Sequence, residues 1–386
     1  MSAPIVIIGS GFAAYQLIKN LRRQETALPI QVFTADEGEE YNKPDLSHVF
    51  TKQRSADELV QLSGAEFAKQ YQVELFTNTW VERVDTKAQC IYVEGQAYPY
   101  SKLVFATGAS AFVPPIEGNG ASSVITLNSL SEYRCSQQQI DAANHVLIMG
   151  GGLIGVELAM DLRASGKQVT VVEPNSRLLS NLVPDFVALR LEEQLRSDGI
   201  ALQLLSRVEN ITLTDGGVVV TTSLDQDDSV DCVISAAGLR PNTELAREAG
   251  INVRRGIVVD KQLRTSSKHV YALGDCAEID GKVMAYLQPI VLSANTLAKQ
   301  LLNQESQLSL PPMMVKVKTP SYPIQTGGQV SDAVTWKVEY KKQGVMAEAY
   351  DDNNRMVGFV VTSDKVDQAF PLLRTVSSAL KQSKSI

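Results

Sequence analysis

Two glycine-rich turns, each between an apolar run and a helical stretch, constrain this 386-residue chain more than any other feature. The first follows Ile5-Val6-Ile7-Ile8 and reads Gly9-Ser10-Gly11-Phe12-Ala13-Ala14; the second follows His145-Val146-Leu147-Ile148-Met149 and reads Gly150-Gly151-Gly152-Leu153-Ile154-Gly155. Helical patterns come next (Phe12 to about Gln24, Leu153 to about Ser165), and then strands (Ile30 to Ala35, Gln168 to Val172). Because the two turns start 141 residues apart, they predict two domains of one architecture and not a short-period repeat.

Turns of this kind hold the phosphates of dinucleotides. Free backbone N–H groups and the positive end of the helix dipole attract the phosphate, and glycine is needed wherever a Cβ would collide with the pyrophosphate or with a neighbouring strand. The second turn has the full G-x-G-x-x-G pattern, and the first has Ala14 in the third position, which a known variant permits. One such turn also occurs in plain βαβ units, but two, each followed by a strand ending in an acid, indicate two dinucleotide sites.

Acidic residues stand where the adenosine ribose of each dinucleotide would bind. Asp36 and Glu37 lie 27 and 28 residues past Gly9, and Glu173 lies 23 past Gly150. A carboxylate there can accept both ribose hydroxyls. Glu173 would also repel a 2′-phosphate, by at most about 4 kcal/mol at ~4 Å and an effective dielectric near 20, which favours NADH over NADPH. Arg177 could partly offset this preference, and the alternative for Glu173 is a solvated carboxylate at a strand end.

Composition excludes several other classes of protein. The net charge of −7 argues against nucleic acid as a partner, and no apolar run approaches the roughly 18 residues of a membrane helix. Nothing after Met1 resembles a secretion signal, so we expect a cytoplasmic protein. The few cysteines and histidines are scattered and predict neither disulfides nor a metal site; they are Cys90, Cys135, Cys232, Cys276, His48, His145 and His269.

The region from residue 313 onward has a different pattern. Alternation from Val334 to Tyr340, the run Val345 to Tyr350 and the run Met356 to Val361 predict three antiparallel strands, the first two joined by a hairpin at 341–344. Val366, Phe370, Leu373, Val376 and Leu380 then recur at helical spacing, interrupted by Pro371. This region predicts a small α+β module.

Further motifs make the chain resemble the FAD-dependent pyridine nucleotide–disulfide oxidoreductases. They are Val104-Phe105-Ala106-Thr107-Gly108-Ala109, Ser235-Ala236-Ala237-Gly238-Leu239-Arg240-Pro241-Asn242 and Thr265 to Glu278, which contains Gly274-Asp275. The resemblance implies an α/β fold of the three-layer, glutathione-reductase type. It has two Rossmann-like domains, a split FAD domain (1–110 and 241–312) and an inserted NAD domain (111–240), followed by the α+β module (313–386). It implies that Thr107, Gly108, Gly274 and Asp275 bind FAD and that Gly238 binds NAD.

Within this superfamily the chain is most similar to rubredoxin reductases, and more narrowly to reductases of flavorubredoxin. The similarity rests on the segments 7–14, 40–48, 109–115 and 315–320. It implies that Lys43 lies beside the flavin, Glu157 near the nicotinamide and Lys318 near the isoalloxazine. For Glu157 the alternative is a carboxylate on a helix surface. Many relatives have Leu-Ser-Lys where this chain has Leu46-Ser47-His48.

The resemblance also implies a mechanism. Disulfide reductases of the superfamily carry reactive cysteines just after the second strand, whereas this chain has no cysteine before Cys90. Hydride would therefore pass from NADH to FAD, and single electrons from FAD to an outside iron protein. The rubredoxin domain of a flavorubredoxin, or a rubredoxin-like protein, is the expected acceptor; the alternatives are a rubredoxin or ferredoxin reductase supplying a hydroxylase, and a flavin-bound redox sensor. Residues 313–386 carry about +3 and the remainder −10, which suits an acidic partner.

Overall fold

The structure is a computed structural model that describes residues 3–215, 217–341 and 344–383, with side chains described as far as residue 378. The chain divides into two compact units. The first comprises Met1–Lys43, Ala56–Ser110 and Leu239–Leu310, and the second comprises Pro44–Ser55, Ala111–Gly238 and Pro311–Ile386.

The strands and helices are numbered in chain order. The strands are β1 Ile5–Ile8, β2 Ile30–Phe33, β3 Glu40–Tyr41, β4 Val60–Leu62, β5 Glu74–Phe76, β6 Arg83–Asp85, β7 Cys90–Val93, β8 Gln96–Pro99, β9 Lys102–Phe105, β10 Ala109–Ala111, β11 Ile125–Thr126, β12 His145–Met149, β13 Gln168–Glu173, β14 Ile200–Leu204, β15 Val208–Thr214, β16 Gly217–Thr222, β17 Asp227–Val230, β18 Cys232–Ser235, β19 Leu239–Pro241, β20 Ile257–Val259, β21 Val270–Ala272, β22 Ala277–Ile279, β23 Lys282–Val283, β24 Met314–Val317, β25 Ile324–Gly328, β26 Thr335–Tyr340, β27 Val345–Tyr350 and β28 Met356–Thr362. The α-helices are α1 Phe12–Arg22, α2 Ala56–Leu59, α3 Gly64–Tyr71, α4 Leu130–Ala142, α5 Leu153–Ala164, α6 Asp185–Ser197, α7 Glu244–Glu248, α8 Leu287–Leu301 and α9 Ala369–Ser383. Short 3-10 helices lie at Lys43–His48, Ala121–Ser123, Gly274–Cys276, Val330–Asp332 and Ser363–Gln368.

A parallel five-stranded sheet forms the centre of the first unit, in the order β21-β9-β1-β2-β5. All four residues of β1 are buried, which explains why its sequence is continuously apolar and does not alternate. Helix α1 packs its buried Leu17, Ile18 and Leu21 in the same core. Because β2 and β9 flank β1, the strand order reverses beside β1, and ligands of such sheets bind at the carboxyl ends of the strands at this point.

The second unit contains a parallel sheet of the same kind, in the order β11-β18-β12-β13-β14. Here β12 takes the place of β1, with β13 and β18 on its two sides. Helix α5 is buried over most of its length, and its buried residues include Glu157 and Asp161. Two Rossmann-like sheets and a C-terminal α+β part confirm the predicted fold class.

The C-terminal part of the second unit is larger than its sequence pattern predicts. The prediction of three strands is wrong, because β24 and β25 extend the antiparallel sheet to five, in the order β24-β25-β28-β27-β26. Strand β25 contains Gly327 and Gly328, which weaken any strand pattern. Gly327 is needed there, because a Cβ would lie 2.5 Å from the Phe359 ring.

Helix α9 covers this sheet, and Pro371 does not interrupt it. Pro371 is the third residue of the helix, where the backbone N–H has no partner within the helix in any case. At the hairpin, Lys341 N–H donates to Gly344 O at 2.9 Å, while Lys342 and Gln343 of the predicted turn lie outside the described residues. Across the described chain, no helix combines the length and hydropathy of a membrane span.

Candidate cofactor sites

The turn after β1 leaves an opening at the start of α1. Gly9 has φ +107°, and a Cβ on it would lie 2.3 Å from Ala106 O of the neighbouring strand's turn, so only glycine fits. Gly11 is the N-cap of α1 with φ −70° and no side-chain cap. A Cβ on Gly11 would meet no described atom within 4 Å. The first turn of α1 (Phe12, Ala13, Ala14) therefore faces an open space that suits an anion.

Two further turns reach the same edge of this sheet from the carboxyl ends of β9 and β21. Thr107 Oγ1 donates to Asn242 O at 2.8 Å, and Asn242 N–H donates to Gly108 O at 3.0 Å. Gly274, with φ +81°, lies against α1, since its Cβ would be 2.7 Å from Ala13 Cβ. The structure therefore brings Thr107, Gly108 and Gly274 together with the first glycine turn.

Asp275 carries a buried carboxylate oxygen that needs a ligand. Its Oδ1 is buried and has no hydrogen-bond partner within the described chain. Its Oδ2 lies 3.7 Å from Lys43 Nζ. An unpaired buried acceptor costs about 1–3 kcal/mol, and a hydroxyl group of a bound cofactor would satisfy it. The open cradle at Gly11 and this orphaned oxygen fit FAD.

The acids after β2 are held in different ways. Asp36 Oδ1 accepts hydrogen bonds from Thr34 Oγ1 at 2.6 Å and from Ser10 Oγ at 2.9 Å. Ser10 lies within the glycine turn, so the carboxylate is fixed to the cradle itself. Glu37 is exposed. Both remain predicted ribose acceptors.

The second unit repeats the cradle in detail. Gly150 has φ +109° and would place a Cβ 2.6 Å from Ala236 O, as Gly9 does beside Ala106. Gly152 is the uncapped N-cap of α5, with open space around its Cβ position. Gly155 allows the helix to pass over the turn, because a Cβ would lie 1.9 Å from Gly150 O. Leu153 and Ile154 complete the first turn of the helix.

Glu173 is the last residue of β13 and is only 6 % exposed, so the alternative of a solvated strand-end carboxylate is wrong. Its Oε2 accepts the Gly151 N–H at 2.6 Å, and its Oε1 accepts the Asn175 N–H at 2.8 Å and Nδ2 at 2.6 Å. These bonds use three of about four lone-pair directions of a carboxylate. About one direction remains for a ribose hydroxyl, and the prediction that Glu173 accepts both hydroxyls stays a prediction.

Arg177 forms an ion pair with another acidic residue. Its Nη1 lies 3.9 Å from Oε2 of Glu192, which is 1 % exposed and also pairs with Arg196. Arg177 is therefore less available to neutralise a 2′-phosphate than its distance along the sequence suggests. Gly238, after β18, has φ +113° and open space around its Cβ position, and its O accepts the Phe112 N–H at 2.9 Å.

Glu157 lies at the centre of a buried polar cluster in the second unit. It is 4 % exposed, so the alternative of a helix-surface carboxylate is wrong. Its Oε2 accepts from Ser47 Oγ at 2.9 Å and its Oε1 from the Lys318 backbone N–H at 2.9 Å. The Lys318 ammonium donates to Pro44 O at 2.9 Å. One helical turn on, Asp161 accepts the Phe50 N–H at 2.8 Å, so α5 holds the 44–55 segment at two points.

His48 stands beside this cluster. Its Nε2 is 3.8 Å from Glu157 Oε2 and, among the described residues, has no hydrogen-bond partner. Burial and the nearby Lys318 ammonium lower the pKa of His48. The imidazole is therefore neutral at pH 7 and does not give Glu157 the fixed positive neighbour that a lysine would.

The four cysteines, all within the described residues, are not paired with one another. All four are free, and Cys90, Cys232 and Cys276 are buried. Burial raises the pKa of Cys276, the residue after Asp275, which keeps its thiol protonated. No cluster of His, Cys, Asp and Glu in the described chain could hold a metal ion.

Sequence reasoning missed several residues that shape these sites. Ser10 and Thr34 fix Asp36, Asn242 ties down the turn after β9, and Asp161 anchors the 44–55 segment. Ser10 and Asn242 lie inside recognised motifs, which is a usable signal. Asp161 gives none, because one sequence does not reveal its partners.

Comparisons with known proteins agree with this geometry. Residues 3–295 match the family described as pyridine nucleotide-disulphide oxidoreductase, and residues 307–376 match the rubredoxin binding C-terminal domain. A protein of Vibrio vulnificus, named nitric oxide reductase FlRd-NAD(+) reductase, is 59 % identical over 98 % of this chain and 99 % of its own. A protein of the same name from Klebsiella pneumoniae is 47 % identical over 98 % of this chain and 100 % of its own.

A solved structure with the same fold is the NADH:rubredoxin oxidoreductase from Clostridium acetobutylicum, with a TM-score of 0.80 and 19 % identity. The match covers 98 % of this chain and 96 % of that one. Because the family model matches most of the chain and the relatives align over nearly their full lengths, and because both dinucleotide cradles are present, the chain belongs to the pyridine nucleotide-disulphide oxidoreductases.

Proposed function

We propose that this protein is an FAD-dependent oxidoreductase that transfers electrons from NADH to the rubredoxin domain of a flavorubredoxin. The pair of open glycine cradles, one of them beside the unpartnered Asp275 oxygen, carries the proposal. The rubredoxin binding C-terminal domain and the names of the full-length relatives support the acceptor.

FAD belongs to the first unit. When bound, it supplies a redox centre that accepts electrons in pairs and releases them singly. The turn at Gly9 and Gly11 and the start of α1 bind its pyrophosphate, while Asp36 and Glu37 lie at the ribose position. The remaining contacts come from the turns after β9 and β21 and from Lys43, whose Nζ lies 3.7 Å from the Asp275 carboxylate.

NADH belongs to the second unit. Gly150, Gly152 and Gly155 shape its pyrophosphate cradle, and Glu173 binds its adenosine ribose and disfavours a 2′-phosphate. Gly238 leaves open space at the neighbouring strand end. Glu157 and Lys318 orient the nicotinamide and tune the reaction by position and charge, without moving a proton. The buried bonds of Glu157 support this role, because they fix its carboxylate in one place.

The C-terminal domain, from residue 313, binds the iron protein. Its charge of about +3 on a chain of −7 suits steering of an acidic partner. The domain limits predicted from sequence (1–110 with 241–312, 111–240, 313–386) remain part of the proposal, as does a location in the cytoplasm. Four free cysteines support that location, since disulfides are rare in the cytosol.

Anaerobic stopped-flow kinetics test the proposal. NADH-driven reduction of a purified flavorubredoxin rubredoxin domain is compared with reduction of a ferredoxin and of dioxygen at several salt concentrations. We expect the rubredoxin domain to be reduced fastest, with a rate that falls as salt increases. Faster reduction of ferredoxin would favour the alternative, a reductase supplying a hydroxylase. Negligible turnover with every carrier would favour a redox sensor.

A further inference from the structure

Trp80 is the most exposed large apolar side chain in the described part of the protein, at 72 %. Single exposed apolar residues are common and need no special explanation by themselves. Trp80 differs because of its place in the fold. It follows β5, the edge strand of the parallel sheet in the first unit, on the side where the glycine turns lie.

Hydrogen bonds hold the segment before Trp80 against the end of β2. Asn78 N–H donates to Asp36 O at 2.9 Å, and Thr79 N–H donates to Thr34 O at 2.7 Å. Val81, the next residue, is 6 % exposed and belongs to the core of the unit. Val81 therefore packs inward while the Trp80 side chain is exposed, two residues after the Asn78 that bonds to Asp36, the acid expected to hold a ribose.

The order of groups along FAD matches the order of these strands. Its pyrophosphate lies at the Gly11 cradle after β1 and its adenosine ribose at Asp36 after β2. The adenine is attached to that ribose and continues in the same direction, past β2 toward β5. A flat aromatic ring beyond Asp36 is the kind of surface on which a nucleic base stacks.

We propose that the indole of Trp80 stacks on the adenine of FAD. This inference rests on the proposed FAD site in the first unit and adds a residue to it. Stacking of a base on an aromatic side chain typically changes binding by about 5- to 150-fold. The backbone before Trp80 is already hydrogen-bonded to the end of β2, so little of it has to be ordered on binding, and we expect an effect of about tenfold.

The test compares ligands with and without adenine on the full-length protein. FAD is removed from the holoprotein, and wild-type, Trp80→Ala and Trp80→Phe apoproteins are titrated with FAD, ADP and FMN. We expect Trp80→Ala to weaken FAD and ADP binding about tenfold, which is about 1.4 kcal/mol, and to leave FMN binding unchanged. Trp80→Phe should keep most of the affinity, and urea unfolding of the apoproteins should be the same because the side chain is exposed.

Fluorescence gives a second readout, because the chain has only two tryptophans, Trp80 and Trp336. In a Trp336→Phe variant, ADP should shield Trp80 from acrylamide quenching; ADP has no flavin that could quench the indole by energy transfer. Equal FAD affinity of Trp80→Ala and wild type, or unchanged quenching, overturns the inference. The inference is also overturned if Trp80→Ala binds FAD as tightly as wild type but reduces the carrier more slowly. That result would show that Trp80 contacts the partner protein. If wild-type apoprotein binds no FAD at all, the proposed function fails as well.

Discussion

The Gly11→Ala substitution separates folding from cofactor binding. Gly11 has φ −70°, which alanine adopts without strain, and a Cβ there would meet no described atom within 4 Å. Replacing glycine stabilises a folded chain by about 0.4–1 kcal/mol through the unfolded state, whereas alanine is a poorer N-cap than glycine by a similar amount. The two effects nearly cancel, so we expect the free energy of unfolding of the apoprotein to change by less than about 0.5 kcal/mol.

The same methyl group occupies the space that the pyrophosphate needs. Forcing a methyl into a packed site costs about 1–3 kcal/mol, which corresponds to a rise of about 5- to 150-fold in the Kd for FAD. The assay is urea unfolding of the apoprotein together with titration by FAD. Gly152→Ala is the matched control, because Gly152 has φ −74° and the same open surroundings in the second unit. It should keep FAD and lose affinity for NADH. Unchanged FAD affinity in Gly11→Ala, or loss of FAD in Gly152→Ala, would refute the assignment of the two cradles.

Three further predictions follow from the second unit. Glu173→Ala should lower the ratio of kcat/KM for NADH to that for NADPH about tenfold, or about 1.4 kcal/mol, which lies within the upper limit of about 4 kcal/mol for the repulsion that it removes; an unchanged ratio in steady-state assays would contradict this role. The lowered pKa of His48 means that the unfolded chain binds a proton that the folded chain resists, so stability falls as pH drops below 6.5. Between pH 7 and 5, the free energy of unfolding of His48→Gln, measured by urea titration, should therefore fall less than that of wild type. An identical fall in both proteins would contradict a lowered pKa of His48 in the folded state. Lys316→Glu reverses an exposed charge on the C-terminal domain and should slow rubredoxin reduction mainly at low salt. An unchanged rate would indicate that the partner binds elsewhere on the protein.

Much of the fold follows from local sequence patterns. Strands β1 and β12 occupy the predicted residues, because buried parallel strands are continuously apolar and end at glycines that nothing else can replace. Strand β25 was not predicted, since its two glycines weaken its own strand pattern, while pairing with β24 and β28 and the packing of Phe359 against Gly327 depend on distant residues. Helix α1 ends at Arg22, two residues before the predicted end, within the usual uncertainty of helix boundaries.

The candidate sites were also predicted only in part: their positions follow from local patterns, but their contacts do not. The glycines and Glu173 were identified from sequence because each stands at a fixed distance within a βαβ unit. The hydrogen-bond partners of Glu173 and Glu157 could not be predicted from a single sequence. Glu173 accepts a hydrogen bond from its neighbouring glycine turn, and Glu157 accepts from Ser47 and from a backbone N–H 161 residues away. Tertiary partners of polar groups depend on which distant segments the fold brings together, and no local pattern encodes them.

Double-mixing anaerobic stopped-flow measures the proposed electron path most directly. The yellow holoprotein is mixed with one equivalent of NADH and then with oxidised rubredoxin domain, while flavin and iron absorbance are followed together. We expect the flavin absorbance to disappear with NADH and to return in step with iron reduction, two rubredoxin domains per NADH, because each iron accepts one electron. Iron reduction by a flavin-free protein at the same rate, or flavin that stays oxidised throughout, would contradict electron transfer through FAD.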